Sequence, residues 1–551
     1  MIDWREGLVG YPADFAERYR SAGVWGTLPI GAEFHLVAER NPGHTAVVAE
    51  EGSLTYGELD DVTDRLGAGL ADLGLLPGDR VIVQLTNRLQ SIVAWYGLLK
   101  AGVIPVCTLA AHRAHEIGAI SRKVGAVAHL VEGGGTGFDL IAFAVDIGRD
   151  HPTLRHILTL DAPAAAAGTR IEQIIADTDP STARSRVAAI QAALDPDGVV
   201  TFQLSGGTTG VPKLIPRLHA EYWYNARAFA EAGGWTDQTR TAHLIPIIHN
   251  AGITCALHAV HSVGGTLILA TPALDQALPL LARTGATDAL VGHGHFAMVD
   301  HPGFAAAMAS MKRVLLSGSK VPPRVFSAFE AEGVWAGQTF GMGEGFFTMS
   351  TPDSSVLSRQ TSVGVPMSAH DEFRVLEPGT ESDVADGEVG ELVCRGPYTI
   401  RGYFGAPEIN AAAFTSDGYF RTGDLVCAQE RDGERSISVE GRLKDLINRG
   451  GEKISAEEVE LLLLRHSGIV GAAVVAIPDE RLGERACAVL VAAGEPLTLD
   501  DIREHLHSHS LAKFKWPEHL IWVTTLPRTA VGKVDKKQLR EEVATVTVAR
   551  R

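Results

Sequence analysis

The densest run of groups that could hold a phosphate is Ser205-Gly206-Gly207-Thr208-Thr209-Gly210-Val211-Pro212-Lys213. Its glycines let backbone N–H groups approach a ligand closely. The hydroxyls of Ser205, Thr208 and Thr209 and the Lys213 ammonium can all donate to phosphate oxygens. The plainer reading is a polar turn. The segment is not the loop of ordinary nucleotide hydrolases, which places Gly directly before Lys and then Ser or Thr. Here Val211-Pro212 separates Gly210 from Lys213. The five cysteines are far apart and form no CxxC pair, which argues against a zinc ribbon or a dithiol redox site. In Gly292-His293-Gly294-His295 two imidazoles stand close together, but no third ligand is evident.

These groups need a scaffold. The loop follows the apolar run VVTFQL, so it leaves a strand. Upstream, Pro12 to Arg20 reads as a short amphipathic helix. SLTYGELDDVTDRLGAGLADLG reads as a strand and then a helix, with apolar residues at Leu59, Leu66, Leu70 and Leu73. PGDRVIVQL, SIVAWYGLLKAG and VIPVCTL continue as strand, helix and strand. That alternation predicts parallel sheets packed between helices, an α/β fold. Residues 162–195, rich in Ala and Asp, read as a peripheral connection. From about Gly387 short strands and turns suggest a small β-barrel-like subdomain. After Asp445 an α+β pattern follows. Its parts are a helix over 456–466, the strand GAAVVAIP, a helix over 499–507 and a Lys-rich terminal helix. The expected division is a large domain over 1–444, with its β-rich part at 387–444, and a small mobile domain over 445–551.

The chain has 551 residues, too many for one ordinary core, and a formal net charge of −17. That charge speaks against broad nucleic-acid binding. The first ten residues carry Asp3, Arg5 and Glu6 and lack the apolar core of a signal peptide. The longest apolar stretch, 92–110, is broken by Lys100, Gly102 and Pro105, so no membrane span is expected. Sparse cysteines fit a cytoplasmic location.

Seven segments in order resemble the acyl-adenylate-forming enzymes, the superfamily of acyl-CoA synthetases, luciferases and peptide-synthetase adenylation domains. They are LTYGELD (54–60), LLKAGVIPV (98–106), the Ser/Thr/Gly loop, FGMGE (340–344), YFRTGD (419–424), GRLKDLINRGGEKI (441–454) and PRTAVGKVDKK (527–537). The resemblance implies that ATP is the cosubstrate. A carboxylate attacks its α-phosphorus, and the acyl group then passes to a thiol. Two anions meet in the first step, so the site must neutralise charge and orient groups. By the same resemblance Lys533 is the catalytic lysine, Glu344 holds Mg²⁺, Asp424 accepts the ribose hydroxyls and Arg442 reaches ribose or phosphate. Gly318, Gln338, Gly341 and Val439 complete the nucleotide site. Asp445 is the hinge, and Gly450, Gly451 and Lys453 line the thiol tunnel.

Within that superfamily, Gly396-Pro-Tyr-Thr-Ile-Arg-Gly-Tyr403, QLSGGTTGVPKLIPR and Ile247-Ile-His-Asn250 resemble stand-alone aryl-acid–AMP ligases of siderophore and peptide assembly. The resemblance implies an aromatic acid beside His249 and Asn250, and a separate phosphopantetheinylated carrier protein as acceptor. CoA as acceptor stays open, and so does a luciferase-like oxidation or a non-catalytic relative. The chain departs from dihydroxybenzoate enzymes at Ala251, where Tyr is usual, at Cys255, where Ser is frequent, and at Phe347, where a smaller residue is common. Gly343 replaces a Thr of the wider superfamily. A slot for a flat ring larger than benzoate is expected, such as a 3-hydroxyquinaldate-like acid. Salicylate or 2,3-dihydroxybenzoate is the alternative.

Overall fold

The computed structural model describes residues 4–134, 137–205, 212–318, 321–450, 452–479, 481–509, 511–529 and 533–549. The chain forms two compact units. One comprises 1–372 with 395–420, and the other comprises 373–394 with 421–551.

Among the described residues, the first unit holds a nine-stranded and a seven-stranded sheet. The centre of the larger sheet is parallel. Its strands Arg240–His243, Asp288–Gly292, Arg313–Ser317 and Trp335–Met342 follow one another side by side. In the smaller sheet Ile104–Thr108, Arg80–Gln84, Ala128–Glu132 and His156–Leu160 are likewise parallel. The strand Val199–Leu204 turns back antiparallel into Leu214–Leu218. The α/β expectation is met, because buried helices supply the crossovers that parallel strands require.

Two of the resemblance motifs prove to be scaffold. LTYGELD starts the helix Tyr56–Asp72 with a capping box. The Thr55 side chain accepts from Glu58 N, and the Glu58 carboxylate accepts from Thr55 N, a pairing worth about 1 kcal/mol. Lys100, at the end of Leu89–Lys100, is fully buried, and its ammonium donates to Asp60 and Asp64 at 2.6 Å each. Arg184 donates to the same two carboxylates.

Arg184 lies on a helix that the residue pattern of 162–195 did not suggest. That stretch contains the helices Ile171–Asp177 and Pro180–Ala193, not a bare connection. The second is started by Asp179, whose side chain caps Ser181 N, and by Pro180 at its first turn. Its buried Ala183 and Val187 pack with Ala68.

In the second unit a four-stranded sheet includes the antiparallel pair Phe420–Arg431 and Glu434–Arg442. Of the expected β-rich part, 395–420 groups with the first unit, and 387–394 and 421–444 group with the C-terminal residues. One tie between them is the Ser455 hydroxyl, which donates to Glu440 O at 2.8 Å. Beyond it stand the helices Ala456–Leu463 and Leu499–Ser508, the long hairpin Ile469–Asp479 with Gly483–Ala492, and the terminal helix Lys536–Ala549.

Candidate active site

The phosphate-type loop joins two antiparallel strands, and its base is fixed on both sides. Ser205 N donates to Lys213 O at 3.0 Å, and Lys213 N donates to the Ser205 hydroxyl at 3.1 Å. The loop's Gly206, Gly207, Thr208, Thr209 and Gly210 lie outside the described residues. The Lys213 ammonium stands 4.0 Å from the centre of the Tyr403 ring, a cation–π contact that holds it without removing its charge. The Tyr403 hydroxyl donates to Glu344 Oε1 at 2.8 Å. Lys213, Tyr403 and Glu344 therefore form one connected group, although their motifs are nearly two hundred residues apart in sequence. Tyr403 itself carried no role in the sequence reading.

Beside this group Arg217 is fully buried. It pairs with Glu221 at 2.6 Å and donates to the carbonyls of Gly343 (2.7 Å) and Tyr398 (3.1 Å). A buried pair is retained only when its remaining donors are satisfied, and here those donors hold the backbone at Gly343. A β-carbon at Gly343 would come within 3.0 Å of Ile215 Cδ1, tighter than ordinary packing. The missing side chain thus lets two elements close.

His249 caps the short helix Asn250–Gly252, its Nδ1 accepting from Ala251 N at 3.3 Å. A β-carbon on Gly252 would overlap Ile247 O, so only glycine lets the turn after His249-Asn250 close this tightly. A single π-type turn, Ile253–His258, follows. Such turns are frequent at functional sites. Asn250 is buried and its Oδ1 accepts from the Tyr222 hydroxyl at 3.0 Å. Cys255 is buried, and burial pushes its thiol well above the ordinary range. It serves as a small apolar wall. Ala251 is half-buried against the same core that contains Cys255 and Phe347.

Phe347 pairs with Gly341 across strands Trp335–Met342 and Phe346–Met349. Its ring is edge-on to Tyr398 at 6.3 Å. Gly318 ends its strand at φ +96, a left-handed conformation that suits glycine. The Gln338 side-chain amide donates to the carbonyls of Arg359 (2.8 Å) and Gln360 (3.0 Å), so it braces the neighbouring helix end.

In the second unit Arg442 pairs with Asp424 at 2.5 Å, and Asp424 is almost fully buried. Asp424 N donates to the Thr422 hydroxyl. The two charged residues are register partners on the antiparallel pair that also carries Val439 opposite Val426. Asp445 pairs with Arg540 at 3.1 Å. Gly450 turns at φ +61, and its N–H donates to Leu482 O. Lys453 stands opposite Asn448 in a short hairpin, and Gly451 lies outside the described residues. Lys533 is exposed, and Thr529 N donates to Lys533 O at 2.7 Å. The residue as a whole keeps solvent-accessible surface, but its ammonium is packed among the groups of this unit. It is held below the ordinary lysine range, first by desolvation and then by Arg442, against the pull of Asp424 and Glu457.

The base of a phosphate-type loop in the first unit, and in the second a buried carboxylate paired with an exposed arginine, each suit contact with a nucleotide. The family model for AMP-binding enzymes matches residues 34–404, and that for their C-terminal domain matches 458–533. The chain belongs to the AMP-binding enzymes, members of the acyl-adenylate-forming superfamily. This AMP-binding enzyme is 39% identical to a salicylyl-CoA synthase / salicylate adenylyltransferase of Streptomyces sp, over 98% of each chain. It is 38% identical to triostin synthetase I of Streptomyces triostinicus, over 97% of this chain and 98% of that one. To the 2,3-dihydroxybenzoate-AMP ligase of Bacillus subtilis it is 35% identical over 98% of each. The apo structure of MbtA from Mycobacterium smegmatis superposes with a TM-score of 0.73 and 34% identity, covering 98% of this chain and 99% of that one. As an AMP-binding enzyme it acts with ATP. Among the described residues, no helix is long and apolar enough to cross a membrane.

Proposed function

We propose that the enzyme joins an aromatic carboxylic acid to AMP and hands the aryl group to the phosphopantetheine thiol of a separate carrier protein. In the first half-reaction a carboxylate oxygen bonds to the α-phosphorus and the bond to pyrophosphate breaks. In the second, the thiol sulfur bonds to the carbonyl carbon, the bond to AMP breaks, and the thiol proton goes to solvent.

Named groups divide the work. Ser205 and Lys213, with the loop between them, take the β- and γ-phosphates. Asp424 takes the ribose hydroxyls, with Arg442 alongside. Lys533 bridges the carboxylate and the α-phosphate, where negative charge accumulates. Asp445 is the hinge that changes the small domain's position between half-reactions. Gly450, Gly451 and Lys453 then face the incoming thiol. The Glu344 carboxylate suits Mg²⁺. Its oxygens are hard donors, and Tyr403 orients the group through Oε1 alone. Bound Mg²⁺ would supply charge neutralisation at the phosphates.

His249, Asn250, Ala251, Cys255, Gly343 and Phe347 form the acid slot. What supports the aryl reading is the buried Asn250 amide, next in sequence to Ala251, which packs against a core that also contains Cys255 and Phe347. It occurs in a chain matching salicylate and dihydroxybenzoate ligases over nearly its whole length. Ala251 opens one wall that Tyr would fill. We read the slot as fitting a bicyclic ortho-hydroxy heteroaryl acid of the 3-hydroxyquinaldate type. ATP–pyrophosphate exchange across mono- and bicyclic aryl acids tests the substrate. Comparing CoA with a loaded carrier tests the acceptor.

A further inference from the structure

Asn250 is not oriented by its own turn. Its Oδ1 is reached by a line of buried polar side chains whose hydrogen-bond directions are forced one after another. The line starts at Pro105 O, which can only accept. The Thr201 hydroxyl donates to it at 2.8 Å. That hydroxyl has one proton, so its oxygen is the acceptor in the 3.3 Å contact with Cys107 Sγ, and the thiol is the donor. Burial pushes the Cys107 thiol up to about 12, so it keeps that proton. The sulfur is then left to accept, and Gln203 Nε2 donates to it at 3.3 Å. The same Nε2 donates to the Tyr222 oxygen at 3.1 Å. Tyr222 therefore directs its own O–H away from Gln203 and donates to Asn250 Oδ1 at 3.0 Å, with the Thr254 hydroxyl also against the Tyr222 oxygen.

Every member is buried. Thr201, Gln203 and Tyr222 are at most 2% exposed, and Cys107 and Asn250 are 4%. Turning the Asn250 amide over would set its N–H₂ against the Tyr222 donor, and a buried donor facing a donor costs about 1–3 kcal/mol. The Arg217 guanidinium lies 4.7 Å from the Tyr222 ring centre and fixes that ring from its face.

We infer that Tyr222 and Gln203 are positioning residues that set the polarity of the acid slot, holding Asn250 so that it offers N–H donors to the substrate. The inference rests on the aryl-acid reading above. It narrows the substrate class to acids with a hydrogen-bond acceptor ortho to the carboxylate, a hydroxyl oxygen or a ring nitrogen. Acids with an ortho amine, which brings a donor, are disfavoured.

The test is ATP–pyrophosphate exchange with salicylate, anthranilate and benzoate, each expressed as kcat/KM. In the unaltered enzyme salicylate is preferred over anthranilate. In Tyr222→Phe that ratio is expected to fall about tenfold or more, the equivalent of losing one oriented hydrogen bond, mainly through KM. In an Asn250→Ala background Tyr222→Phe changes the ratio no further, because the tyrosine acts through the amide. A merely structural tyrosine would lower all three acids together in either background. Where Tyr222→Phe does not fold, Gln203→Met cuts the same line one link earlier and is read the same way. An unchanged ratio in a folded variant, or an equal loss for all three acids, overturns the inference while leaving the aryl-acid reading intact. An unaltered enzyme idle with every aryl acid overturns that reading, and the inference with it.

Discussion

Gly341 and Phe347 face one another across an antiparallel strand pair, and a β-carbon on Gly341 would overlap the Phe347 ring. The large ring and the absent side chain are thus one feature. Phe347 is nearly fully buried and edge-on to Tyr398, so it cannot swing aside.

Gly341→Ala is therefore expected to destabilise the first unit by about 1–3 kcal/mol, because the added methyl meets the buried Phe347 ring. Adding Phe347→Leu should restore much of it. Urea unfolding of the single and double variants measures both. Additive losses would show that the two positions do not share one space.

Asp371 gives a pH signature. Its Oδ2 accepts from the Tyr398 hydroxyl, and burial raises the carboxyl to about 8 from an ordinary value near 3.8. A raised value means that the folded chain holds a proton the unfolded chain has released. Its contribution to stability is full below about pH 4 and is lost as pH rises through about 8. The urea midpoint of the unaltered protein should fall across that window. In Asp371→Asn, which keeps an acceptor for Tyr398, the fall should be shallower. Equal slopes in the two proteins would contradict this.

Lys533 and Lys536 separate chemistry from stability. Lys533 is exposed and Lys536 pairs with Glu460 at 2.7 Å. Lys533→Ala should leave thermal unfolding nearly unchanged while adenylation falls about 100-fold or more, the scale of losing a group that stabilises developing charge. Lys536→Ala should lower the unfolding temperature and keep adenylation.

The parts of this molecule legible from sequence are those governed locally. The strand–helix alternation and the strand that leads into Ser205 both follow from neighbouring residues. The helix Pro180–Ala193 was missed because its apolar face is narrow. Ala183 and Val187 become core only when Ala68 arrives from another helix, although Asp179-Pro180 was an available start signal. Arg217 and Glu221 have the spacing of an ordinary surface pair on a helix, and nothing nearby says that both are buried. The sequence places Asn250 beside the aromatic acid and says nothing of a protein partner. The Tyr222 hydroxyl, held in turn by Gln203, reaches its Oδ1 through tertiary packing alone, since the tyrosine lies 28 residues away.

The central claim is that this AMP-binding enzyme activates an aromatic acid in a slot enlarged at Ala251. The measurement that tests it most directly is ATP–pyrophosphate exchange with salicylate, 2,3-dihydroxybenzoate and 3-hydroxyquinaldate, for the unaltered enzyme and for Ala251→Tyr. The account predicts that the bicyclic acid is preferred and that Ala251→Tyr shifts the ranking toward the single-ring acids. Exchange confined to the single-ring acids, with a ranking that Ala251→Tyr leaves unchanged, would contradict it.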